Sequence, residues 1–174
     1  MLDLSDYRRR AGEASPPSKE FMKKIKGAVL MRPRTLQNAS EQMTTGGDDN
    51  HQTHERTRPE RVLSEFLDTF YLCKDSSARA AMLEGEPGPS GDARHDALMG
   101  AVAEYLSRQY GLGPGPAWAF EPVRYLTEPW HVTEIKTPGM IEFLSWVSPA
   151  EFKSRNIFTD ERPLRRASQV ARSR

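Results

Sequence analysis

Cysteine is almost absent from this chain: Cys73 is alone among 174 residues. A single thiol forms no internal disulfide and excludes a cysteine-rich zinc site, which fits a reducing compartment and a cytoplasmic protein. Cys73 falls on the apolar stripe of an expected helix, which predicts a buried structural thiol. Long apolar runs are also missing. None approaches the ~20 residues of a membrane span, and "GAVLM" at residues 27–31 is too short for a signal-peptide core. Aromatic residues are scarce in the first third. Thirteen of the fifteen, all but Tyr7 and Phe21, follow residue 56.

Catalytic and phosphate-binding grammar is missing too. There is no GxSxG, P-loop, GxGxxG or HExxH, and "GLGPGP" lacks the lysine and the strand-to-helix context that a phosphate cradle needs. His51 and His54 lie in a polar stretch without a helical frame to converge them, so no metal and no cofactor is expected. His95 sits between Asp92 and Asp96, where capping and surface charge account for all three. An enzymatic alternative would assemble a site from His131, Glu134 and Glu142, and it names no substrate. The chain therefore reads as non-catalytic.

What is present divides the chain into three. Residues 1–56 are too poor in apolar side chains to offset their ordering entropy, and read as a mobile or partner-folded tail. Within them "FMKKIKGAVLM" would form a short basic amphipathic helix, with Phe21, Ile25 and Leu30 placed to enter a partner's groove. Residues 57–161 read as the folded domain, with ten basic against sixteen acidic groups. An acidic body of this kind suits a basic partner surface and argues against gripping phosphates. Residues 162–174 hold five arginines and no acid.

The fold expected is mainly α, a small domain of four to six helices with an irregular Pro/aromatic linker and flexible termini. Thr57 caps a first helix, with Pro59 in its first turn and Val62, Leu63, Phe66, Leu67, Phe70 and Tyr71 on one face. A short Ala-rich helix follows Asp75 or Ser76. A third runs from about Asp92 to Tyr110, with one buried face and Gly111 as its C′ residue. Pro114, Pro116, Pro122 and Pro129 then impose a linker in which Trp118, Phe120, Tyr125 and Trp130 pack over the helices. A last helical section starts at Thr137-Pro138 and restarts at Ser148-Pro149, where Ser148 caps and Glu151 completes a capping box.

Two segments carry the binding expectations. In "SPAEFKSRNIF", Phe152, Ile157 and Phe158 anchor the segment while Arg155 reaches a carboxylate or carbonyls, and Asn156 ends the helix in a left-handed conformation. Phe152, Arg155, Asn156, Ile157 and Phe158, with Trp118 and Trp130, are the candidate contacts for a protein partner. Arg162, Arg165, Arg166, Arg172 and Arg174 are the alternative, a salt-sensitive grip on nucleic acid.

From about residue 62 to 167, the motifs "SSARAAMLEGEP", "DALMGAVAEYLSRQYGL", "PAWAFEPVRYLTEPW" and "SPAEFKSRNIF" occur in an order that resembles an uncharacterised bacterial family. That family has a W…PW linker and an SPxxFxxRNIF motif. Its members occur alone or behind helix-turn-helix domains, in suspected toxin-antitoxin gene pairs. The resemblance implies a cognate protein partner, such as a nucleotidyltransferase-like toxin, and brings no catalytic residues. Residues 1–56 lack the three packed helices of a helix-turn-helix domain, so direct promoter binding is not expected.

Overall fold

The computed structural model describes residues 34–45 and 59–166. Among these the chain is mainly helical: α1 (Leu36–Thr45), α2 (Pro59–Leu72), α3 (Ser76–Glu84), α4 (Ala93–Gln109), α5 (Pro138–Val147) and α6 (Ala150–Lys153). Two 3₁₀ turns, Ala117–Phe120 and Pro122–Arg124, occupy the Pro/aromatic linker. The strands β1 (Trp130–His131) and β2 (Ile157–Phe158) form a parallel pair, Trp130 opposite Ile157 and His131 opposite Phe158.

Helix α1 lies where the composition pointed to a tail. Thr35 Oγ1 accepts the Asn38 N–H at 3.1 Å and so caps its first turn. Leu36 and Ala39 are fully buried and Met43 packs on the same core. The compact part of the chain therefore begins before residue 57. A search for aromatic density misses it, because this helix buries small and aliphatic side chains. A polar tie adds to this: the Ser40 hydroxyl and His95 Nε2 lie 2.9 Å apart, joining α1 to α4.

Helix α2 is amphipathic as its spacing requires, with Val62, Phe66, Leu67 and Phe70 buried. Each such side chain contributes roughly 1.5–3 kcal/mol relative to exposure. Thr57, the expected cap, lies outside the described residues. Cys73 is not the buried thiol expected: it is half-buried just past the end of α2, its Sγ 3.6 Å from Asp75 O. Asp75 caps α3 by accepting the Ala78 N–H at 2.8 Å, and Leu83 is the buried residue of that helix.

Helix α4 is the central post. Asp92 caps it through the Arg94 N–H at 2.9 Å. Instead of one buried face it is enclosed on every side from Asp96 to Ser107, apart from the half-buried Leu98 and Tyr105. Small residues allow this. A Cβ on Gly100 would come within 2.9 Å of Arg124 Cβ, 3.0 Å of Arg155 Nε and 3.1 Å of the Ala119 carbonyl. The helix ends as Gly111 predicts: with φ at +64° it turns the chain so that the Gly111 and Leu112 N–H groups donate to Arg108 O and Ser107 O.

The linker packs against α4. Trp118 is buried and its Nε1 donates to Leu83 O at 3.1 Å, which satisfies the indole in the core. Thr137 accepts the Met140 N–H and opens α5. Ser148 does not cap α6 as expected. Its Oγ accepts the Thr159 N–H at 2.7 Å and lies 2.6 Å from Leu144 O, so it is committed to joining α5 to the chain after β2. Glu151 correspondingly completes no capping box, and its carboxylate lies 3.8 Å from Arg108 Nε.

Candidate protein interface

The terminal motif is held inside the molecule. Phe152, Arg155 and Ile157 are at most 1 % exposed. The Phe152 ring meets Tyr105 edge-on at 5.7 Å, and burial, reinforced by the Glu151 carboxylate, raises the Tyr105 phenol above its ordinary pKa. Asn156 adopts a φ of 58°, the left-handed conformation expected of it, and its Nδ2 donates to Leu126 O at 2.8 Å. That turn drives Ile157 and Phe158 back onto the body, where Phe158 stacks on His131 at 4.9 Å.

Arg155 shows why this segment faces inward. One terminal nitrogen donates to Glu104 Oε2 at 2.5 Å and to Glu151 O at 2.7 Å, and the other donates to Ala119 O at 2.8 Å. The guanidinium also lies 4.9 Å from the Tyr125 ring centroid. Glu104 is shared with Arg108 at 2.9 Å. A second buried arginine, Arg124, donates to Pro87 O and lies 3.6 Å from Asp96. The two arginines bind the linker and the terminal motif to α4. The expectation that Phe152, Arg155 and Ile157 meet a partner is thus corrected, because their surfaces are already occupied. Trp118 is likewise internal, while Trp130 is half-buried with the Arg94 guanidinium 5.7 Å from its ring.

What the fold presents outward is α5. In "PGMIEFLSWV", Leu144 is buried and Ile141 half-buried, whereas Phe143 is 54 % and Trp146 78 % exposed. Three residues apart, these two share one helix face. Ile135 and Val132, 57 % and 45 % exposed, lead into the same helix. Glu134 and Glu142, both exposed, alternate with these apolar residues along the sequence. Lys153 Nζ donates to Ser145 O and Trp146 O, closing the C-terminal turn. The periodicity of α5 conceals this exposure, since apolar residues surround the helix and either face could have been the inner one.

The excursion carrying α5 starts and ends at one place. The Val132 N–H donates to Phe158 O at 2.8 Å, and Ser148 Oγ holds the next residue, Thr159.

The basic tail is partly spent within the fold. Arg166 is paired with both oxygens of Asp68 at 2.9 and 3.0 Å, which raises its pKa, and Arg162 lies 3.2 Å from Glu161. Arg165 is exposed. Arg172, Arg174, Phe21, Ile25 and Leu30 lie outside the described residues. Of the enzymatic set, His131 is stacked against Phe158, and Glu134 and Glu142 stand at the surface. Among the described residues no group of three or more His, Cys, Asp and Glu side chains is placed to hold a metal, and no helix is long and apolar enough to cross a membrane. The chain matches no protein-family model, curated protein or solved structure.

Proposed function

We propose that this chain is a non-catalytic interaction module, an antitoxin-like protein that binds and restrains a cognate protein through the outer face of α5. The observation that carries the reading is the pairing of Phe143 and Trp146, both more than half exposed on one face of a well-capped helix. Large aromatic residues are the usual energetic anchors of protein interfaces, and clustered apolar exposure is uncommon on a surface that meets only water. The acidic balance of residues 57–161 favours a partner with a basic surface, including one that otherwise contacts nucleic acid. A nucleotidyltransferase-like toxin is a partner of that kind.

The test is co-purification from the host with the wild type and with a Phe143→Ser/Trp146→Ser variant, followed by expression of the captured protein alone. The expected result is one stoichiometric protein that withstands high salt, is lost from the double variant, and arrests growth unless this chain is co-expressed. Retention by the double variant refutes the face, and a captured protein without effect on growth refutes the restraining role.

A further inference from the structure

A second surface feature meets the approach to α5 at Val132 and includes neither Phe143 nor Trp146. A groove of about 250 Å³ opens between α2, α4, the β1–β2 pair and the segment after β2. Its wall is apolar, built from Leu63, Leu67, Leu98, Trp130, Ile157 and Leu164. Charges of both signs also line it, Glu60 from the start of α2 and Arg165 and Arg166 from the segment after β2.

The two arginines differ. Arg166 is committed to Asp68 through two hydrogen bonds. Arg165 is exposed and makes no ion pair among the described residues. Its position is nevertheless fixed on both sides, because the carbonyl of Leu164 accepts the Tyr71 hydroxyl at 2.9 Å and Arg166 is clamped to α2. A guanidinium without an ion pair among the described residues, carried on a pinned segment that lines an apolar wall, suits an anionic head with a hydrocarbon body.

We propose that this groove binds a small amphipathic monocarboxylate, with its chain along Leu67, Leu98 and Trp130 and its carboxylate on Arg165. Size limits the body: the groove is just under the ~300–1,000 Å³ usual for ligand pockets, which suits a short chain such as one of about eight carbons. Charge limits the head. Glu60 in the same lining opposes a second negative charge, so a carboxylate is preferred to a phosphate monoester. The site shares Val132 with the approach to α5 but neither Phe143 nor Trp146, so either can fail without the other.

Sodium octanoate is the probe, with 1-octanol as the uncharged analogue of the same length, each titrated into the full chain by calorimetry and amide-resolved NMR. Saturable one-to-one binding of octanoate is expected, with shifts concentrated at Leu67, Leu98, Trp130 and Arg165. Arg165→Gln, a surface change, should weaken it roughly tenfold, as for a lost hydrogen bond to a charged group, while Arg165→Lys retains most of it. Ser64→Phe, which fills the groove from α2, should abolish binding, and Arg165→Gln decides alone if that variant does not fold. Equal affinity for octanol and octanoate, shifts centred on Phe143 and Trp146, or no saturation at millimolar octanoate would each overturn the proposal.

Discussion

Arg155 and Gly100 depend on each other. The arginine is fully buried with four acceptors around its terminal nitrogens, and the glycine supplies the space for its Nε. Removing Arg155 leaves the buried Glu104 with the exposed Arg108 as its counter-charge, so Arg155→Met is expected to cost about 3 kcal/mol in urea unfolding, the low end for a broken buried pair. Gly100→Ala pushes a methyl into Arg124 Cβ and the Ala119 carbonyl and should cost ~1–3 kcal/mol by overpacking, read in the same way. Neither arginine's burial was legible in the sequence. Charge type places arginine at the surface by default, and nothing local records that Glu104, 51 positions away, supplies the counter-charge. The conformation of Asn156 was legible, because only its immediate neighbours decide it and few residues other than glycine take a positive φ readily.

At the scale of elements, the helices announced by a cap and a one-sided stripe were readable: Asp75, Asp92, Thr137 and the face of α2 all stand where the sequence put them. Helix α1 was not, although Thr35 with Leu36, Ala39 and Met43 at helical spacing was a signal available to be read. Its attachment to α4 has a pH dependence with a definite sign. Burial lowers the His95 pKa below its ordinary 6.5; Asp96 and Asp92 oppose this and Arg124 adds to it, while Ser40 faces the ring from α1. The folded state therefore favours the neutral ring, and below pH ~6.5 the unfolded chain binds more protons. The stabilisation is complete above the unfolded pKa and is lost as pH falls towards and through the folded one. Urea midpoints between pH 7.5 and 5.5 should fall further for the wild type than for His95→Gln; equal losses would show that carboxylates alone govern the acid limb.

For the molecule as a whole, the buried structure and the outward face are separable. Phe143→Ser/Trp146→Ser removes exposed apolar surface and touches little of the core, so its stability should stay within about 0.5 kcal/mol of the wild type. Its tendency to self-associate should drop, as light scattering at high concentration would show. The mainly helical architecture was legible in the sequence because caps and prolines punctuate it. The candidate face was not. "MIEFLSWV" is apolar around the helix, and which side turns inward is settled by Leu144 and Ser148 meeting Thr159, eleven positions beyond Ser148, not by any local period.

The anchoring of Val132 and Ser148 on the consecutive residues Phe158 and Thr159 has a consequence for how such a protein diversifies. Everything between those anchors leaves the body and returns to one spot, so the stretch behaves as an exchangeable cassette on a fixed socket. Substitutions along it can change the exposed face while the arginine-braced interior stays unchanged, and a grafted cassette would need to supply a residue to fill the place of Leu144 and a serine to close the socket.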